Sequence, residues 1–210
     1  MKNTYSRIVV FLMTSIVMLS AGTIYAQQLT IDQRVDSVLK LMTLDEKIGQ
    51  LNQYSGFEEA TGPVTEEADK PEQLRKGMIG SMLNVTGAVK TRQAQEMALQ
   101  SRLKIPLLFG QDVIHGYRTI FPIPLAAAAS WDLEAIELSA RVAATEASAA
   151  GVHWTFAPMV DISRDPRWGR VMEGAGEDPY LGSLVAAARV KGFQGNGLGK
   201  IGRASCRERV

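Results

Sequence analysis

Apolar residues recur at helical spacing between Ile31 and Met42, where Ile31, Val35, Val38, Leu39 and Met42 share one face. Thr43 and Glu46 follow, a hydroxyl and a carboxylate in the spacing of a capping box, which predicts a second helix through Ile48 and Leu51. Ser55 to Lys70 is polar, carries Gly56, Gly62 and Pro63, and reads as a loop. Met78 to Val85 is a short apolar run between Gly77 and Gly87, suited to a buried strand. Lys90 to Leu103 has helical composition and offers Ala94, Met97, Ala98 and Leu99 as an inward face. A second strand over Pro106 to Phe109 ends at Gly110-Gln111-Asp112. Ser130, Trp131 and Asp132 open a long alanine-rich helix to Ala150. Val152 to Val160 reads as a third strand ending at Asp161, and Tyr180 to Phe193 as a further helix with a glycine-rich cap and turn after it.

Strands alternating with helices at this spacing predict an α/β fold of parallel strands joined by crossover helices. An open doubly wound sheet and a (β/α) barrel both satisfy the pattern. In either, the functional edge is the one at which the strands end, and the polar clusters Gly110 to His115 and Asp161 to Arg170 both follow strands.

The stretch from Asp161 to Pro179, DISRDPRWGRVMEGAGEDP, carries no apolar period. Arg164, Arg167 and Arg170 stand three residues apart among Asp161, Asp165, Glu173, Glu177 and Asp178. A guanidinium fork suits vicinal hydroxyls, carboxylates or phosphates, but the surrounding acids oppose a phosphate and can instead brace the arginines, at least two of which read as structural. Trp168 can stack on a sugar or simply pack. Asp112 can accept from sugar hydroxyls, bind a metal, act as a base or cap a turn. His115 reads as a structural hydrogen-bonding residue; with His153 as the one other histidine, no zinc site is completed and no cofactor is expected.

The ends change the charge balance. Lys2 and Arg7 precede an apolar core from Ile8 to Leu19, with Ala26 before polar Gln27, the pattern of a secretory signal peptide over residues 1–26 cleaved after Ala26. The core is shorter than a bilayer span, so no stable membrane anchor is expected after cleavage, and the destination is periplasmic or secreted. Residues 201–210, IGRASCRERV, resemble translated sequencing-adapter read-through and are expected to be a non-native tail. The whole chain is net +1; leader and tail contribute +2 each, which leaves residues 27–200 at −3 and gives no case for a nucleic-acid partner. Cys206 lies in that tail, so residues 27–200 offer no thiol chemistry or disulfide.

MTLDEKIGQL from Met42, LLFGQDVIHGYRTIFPIPLAAAASWD from Leu107 and TFAPMVDISRDPRWGRVMEGAGEDPYL from Thr155 together resemble glycoside hydrolase family 3, the β-glucosidases, β-xylosidases and related exo-acting enzymes. The resemblance implies that residues 27–200 form the first half of a (β/α)8-type barrel, incomplete in this chain. It implies an oligosaccharide or glycoside substrate, with Asp112 and Arg170 holding hydroxyls of the terminal sugar in subsite −1 and Arg164 in support. It implies a retaining double displacement, most simply by a β-glucosidase, in which no catalytic carboxylate lies in this chain, so the chain alone is expected to be inactive. The alternatives are a β-xylosidase of the same family and a non-catalytic carbohydrate-binding protein.

Overall fold

The computed structural model describes residues 29–56, 69–195 and 203–204. The expected leader, the segment 57–68 and most of the expected tail lie outside them. The chain divides into two units, Met1–Leu41 and Met42–Val210.

The first unit holds helix α1 (Ile31–Leu41). Thr30 and Gln33 cap each other's backbone, Thr30 N to Gln33 Oε1 at 3.0 Å and Gln33 N to Thr30 Oγ1 at 3.2 Å. Asp32 in the first turn and Lys40 in the last suit the helix dipole.

In the second unit, α2 (Leu44–Leu51) begins at the expected capping box: Glu46 N donates to Thr43 Oγ1 at 3.2 Å, and Thr43 N to Glu46 Oε2 at 2.8 Å. Then follow β1 (Gln53–Ser55), α3 (Lys70–Lys76), β2 (Ser81–Leu83), α4 (Ala88–Ala98), β3 (Leu108–Gln111), α5 (Pro124–Ala129), α6 (Leu133–Ala149), β4 (Trp154–Thr155), a 3-10 turn at Val171–Glu173, α7 (Pro179–Gln194) and β5 (Arg203–Ala204). The five strands pair in chain order, every neighbour parallel.

That order decides between the two sequence readings. A doubly wound sheet reverses its strand order at a switch point, whereas consecutive parallel strands with right-handed crossovers keep every helix on one face. Met82 and Phe109 are register partners on that face and lie in one buried cluster with Leu74, Ala94 and Ala98 of α3 and α4. Ala140, Ala143 and Ala147 of α6 pack with Val113, Val152 and Phe193 in a second cluster. The other face carries Leu108, still 48% exposed, and Gly110, where an added Cβ would stand 3.1 Å from the Phe156 ring. This is the arrangement of part of a (β/α)8 barrel, with that second face directed to the barrel interior.

Several sequence expectations change. Ser55–Lys70 is not loop throughout: Ser55 ends β1 and Lys70 opens α3, with Pro71 in the first turn. Leu99 is 42% exposed rather than inward, since it lies off the stripe of Thr91, Ala94 and Ala98 that α4 buries. The strand expected over Val152–Val160 shrinks to two residues, since Pro158 has no N–H to give a ladder. Pro124 starts a short helix not foreseen in the sequence.

Candidate functional site

Two connections leave the carboxyl edge of the sheet and carry the expected site residues, Asp112 on the first and Arg164 and Arg170 on the second. The first follows β3. Gln111 is the last residue in register with β4, opposite Thr155, and Asp112 comes next with its side chain exposed. Val113 turns back into the core, 1% exposed, and its N–H donates to Thr155 Oγ1 at 3.1 Å. The Ile114 carbonyl accepts from the Arg189 guanidinium of α7. Arg189 is itself buried, which pushes it down to about 10.

Beyond Ile114 the chain closes on itself. Phe121 N donates to His115 O at 2.8 Å, and His115 Nδ1 lies 3.1 Å from Phe121 O, so His115 is the structural residue expected. Inside this closure Gly116 and Ile120 form an antiparallel bridge. Gly116 has φ +116, and a Cβ there would lie 1.9 Å from Thr119 O, so this turn needs glycine. Glu146 of α6 takes the hairpin from the side: Oε2 accepts from Arg118 N at 2.7 Å and Thr119 N at 2.8 Å, and Oε1 from Thr119 Oγ1 at 2.7 Å. These bonds, led by the Thr119 hydroxyl, hold its carboxyl below the usual range.

The second connection follows β4. Ser163 N donates to Gly176 O at 3.0 Å, which folds the segment back on itself. Arg167 pairs with Asp165 at the surface, Nη2 to Oδ2 at 2.6 Å, where the arginine side chain is 88% exposed. Arg170 is set deeper and meets Glu173 along one edge, Nε to Oε1 at 2.8 Å and Nη2 to Oε2 at 2.5 Å. Its pKa is raised first by that hydrogen-bonded carboxylate, with further help from the charges of Glu173, Asp112 and Asp161. Asp112 and Arg170, on different connections, therefore share one electrostatic neighbourhood. Arg164 is exposed at the start of the segment. Asp178 braces no arginine; it caps α7, accepting from Tyr180 N at 2.7 Å and Leu181 N at 3.1 Å.

Five buried polar side-chain atoms among the described residues have no hydrogen-bond partner: Gln111 Oε1, Trp154 Nε1, Asp161 Oδ2, Ser163 Oγ and Arg189 Nε. Such groups are costly to leave unpaired. His153 stands apart from the carboxyl edge. Its Nδ1 accepts from Phe109 N at 3.1 Å, its ring stacks on Phe109 at 5.5 Å, and desolvation lowers its pKa. Among the described residues, no group of three or more His, Cys, Asp or Glu is placed to hold a metal ion. Glu146 and Arg189 were not singled out from the sequence. Both act through contacts to residues tens of positions away, which no local pattern signals.

Parallel strands in sequential order, with acids and arginines gathered where β3 and β4 end, define the class: a (β/α) barrel with its site at the carboxyl edge. The chain belongs to glycosyl hydrolase family 3, whose N terminal domain matches residues 43–203. The periplasmic β-glucosidase of Salmonella typhimurium is 47% identical over 165 residues, 78% of this chain and 21% of its own length. The crystal structure of a β-glucosidase from Listeria innocua in complex with isofagomine superposes with a TM-score of 0.73 at 47% identity, over 80% of this chain and 23% of that one. A β-xylosidase of Formosa agariphila is 32% identical over 171 residues, 80% of this chain and 19% of its own. The chain thus spans about a fifth of the length of these relatives.

Proposed function

We propose that this chain is the sugar-holding part of an exported, retaining, exo-acting β-glucosidase, with Asp112 and Arg170 binding hydroxyls of the terminal sugar in subsite −1 and Arg164 assisting at the rim. The observation that carries the reading is that Asp112 and Arg170 stand on the two connections that leave the carboxyl edge of the sheet after β3 and β4. An acceptor-only carboxylate beside a donor-only guanidinium suits adjacent hydroxyls, each of which both donates and accepts. The surplus of acids there favours a neutral sugar over an anionic one.

Glucose is the favoured terminal sugar because the 47% identical relatives are β-glucosidases, while the β-xylosidase is 32% identical. Export is supported by the leader-like pattern of residues 1–26 and by the periplasmic relative. Bond cleavage is assigned to carboxylates outside residues 27–200, since retaining chemistry needs a nucleophile and an acid/base ~5 Å apart and the family resemblance gives neither role to a residue here.

The test compares full-length protein with residues 27–200 on p-nitrophenyl β-glucoside and β-xyloside. Hydrolysis of the glucoside with retention by the full-length protein, and none by residues 27–200, is the expected result. Preference for the xyloside would move the assignment to β-xylosidase. Sugar binding without any hydrolysis by the full-length protein would make it a binding protein, and turnover by residues 27–200 would overturn the division of labour.

A further inference from the structure

The hairpin Gly116–Ile120 stands directly after the segment that carries Asp112; Tyr117 packs against the buried cluster of Val113 and Ala140, but the hairpin's tip is exposed. Arg118, Thr119 and Ile120 are all exposed, Ile120 to 70%. An exposed loop tip with few buried apolar contacts is ordinarily among the first parts of a protein to open. Here one carboxylate from another element restrains that tip. Both oxygens of Glu146 are committed to the hairpin, through two main-chain N–H groups and one hydroxyl, at 2.7, 2.8 and 2.7 Å.

We propose that Glu146 is a positioning residue for Asp112: by clamping the hairpin from α6, it fixes the far side of the segment that presents the sugar-binding carboxylate. The near side is already fixed by the β3 ladder, which ends at Gln111 opposite Thr155. Asp112 is the first residue beyond that ladder. The few residues between it and the hairpin are drawn inward at Val113, by Thr155, and at Ile114, by Arg189. With Glu146 in place, the connection leaving β3 is tied to β4, α7 and α6 in succession. Removing the tie from α6 leaves Tyr117 as the hairpin's remaining hold on the core, so the tip can swing and the carboxylate at the root of the loop is held less firmly. Charge-assisted bonds to main-chain N–H groups suit this task because they are short and directional.

This inference rests on the reading of Asp112 as a sugar ligand, and its test separates the two. In the full-length protein, kcat/KM for p-nitrophenyl β-glucoside is measured for E146A, D112N and the double variant. Hydrogen exchange is read at the Arg118 and Thr119 amides. E146A is expected to speed exchange at both amides and to lower kcat/KM about tenfold alone, but less than about twofold when D112N is already present, because coupled residues are non-additive. A brace for the hairpin alone would leave kcat/KM within twofold, or would add its full cost to that of D112N; either result overturns the role given to Glu146. Should E146A fail to fold, T119V removes only the hydroxyl contact and is expected to shift kcat/KM in the same direction, about threefold, with the same coupling. A full-length wild type that hydrolyses no aryl glycoside overturns the functional reading, and the role given to Glu146 with it.

Discussion

Arg170 and Glu173 meet edge to edge, with Nε–Oε1 at 2.8 Å and Nη2–Oε2 at 2.5 Å, while their side chains keep 33% and 22% exposure. One edge of the guanidinium is thereby used up within the protein. The remaining donors are left for the neighbourhood of Asp112 and Asp161.

In the full-length enzyme, R170K is therefore expected to lower kcat/KM about a hundredfold, since a lysine cannot hold Glu173 and a hydroxyl in one fixed plane. E173Q keeps the shape but halves the pairing, and about a tenfold loss is expected. R167K is the control: its pair with Asp165 is surface-exposed, so kcat/KM should stay within about twofold. Steady-state kinetics on an aryl glucoside reads all three, and an R167K defect as deep as that of R170K would remove the basis for choosing between the arginines.

Glu46 serves two partners, capping Thr43 and pairing with Arg102 through Nε–Oε1 at 3.0 Å and Nη2–Oε2 at 2.6 Å. The Arg102 hydrogen bond, followed by that to the Thr43 backbone, lowers its pKa from 4.5 to about 2. A carboxylate with a depressed folded-state pKa contributes stability that is fully present above its unfolded value and lost as pH falls through the folded one. The Tm difference between wild type and E46Q should thus be constant above about pH 5 and shrink toward pH 2. Parallel loss of stability in both proteins over that window would show that Glu46 does not carry the effect.

What the sequence disclosed follows from how local each cause is. The Thr43–Glu46 box was legible because a cap is written in four residues, and Asp132 marked the start of α6 in the same way, its Oδ1 accepting from Ala135 N at 2.9 Å. The apolar runs around β2 and β3 announced buried strands. Gln53-Tyr54-Ser55 carries no such run; β1 exists because its backbone finds Ser81 to Leu83 alongside, a partner no window over the sequence can see. At the site, equal spacing alone left the three arginines equivalent; the family resemblance singled out Arg170, and folding adds that Arg167 pairs with Asp165 at the surface while Arg170 is set deeper against Glu173. Glu146 was hidden for a similar reason. A glutamate in an alanine-rich helix reads as solvent-facing, and its partners at Arg118 and Thr119 lie 28 and 27 residues upstream.

At Gly192 the backbone of α7 lies close against α6. A Cβ built there would stand 2.4 Å from Glu137 O and 2.6 Å from Ala140 Cβ. The first of these neighbours is helix backbone, which cannot step aside without moving α6. G192A should destabilise the protein by about 1–3 kcal/mol through overpacking, even though alanine favours helix over glycine. Denaturant unfolding measures the sign: a more stable G192A would mean that the two helices can separate freely.

Thr155 joins β4 to the start of the Asp112 connection, and the joint is buried on both sides, with Thr155 3% and Val113 1% exposed. Its hydroxyl oxygen accepts from Val113 N at 3.1 Å. T155V keeps the volume and the branched shape but leaves that N–H buried without an acceptor, a desolvation cost of about 1–3 kcal/mol. T155S keeps the acceptor while losing a methyl group, at about 1 kcal/mol. T155V should therefore be the less stable of the two, against the expectation from apolar burial alone. It should also speed hydrogen exchange at the Val113 amide, which T155S should leave protected. Equal exchange at Val113 in both variants would show that packing, and not this hydrogen bond, holds the chain where it leaves the sheet for Asp112.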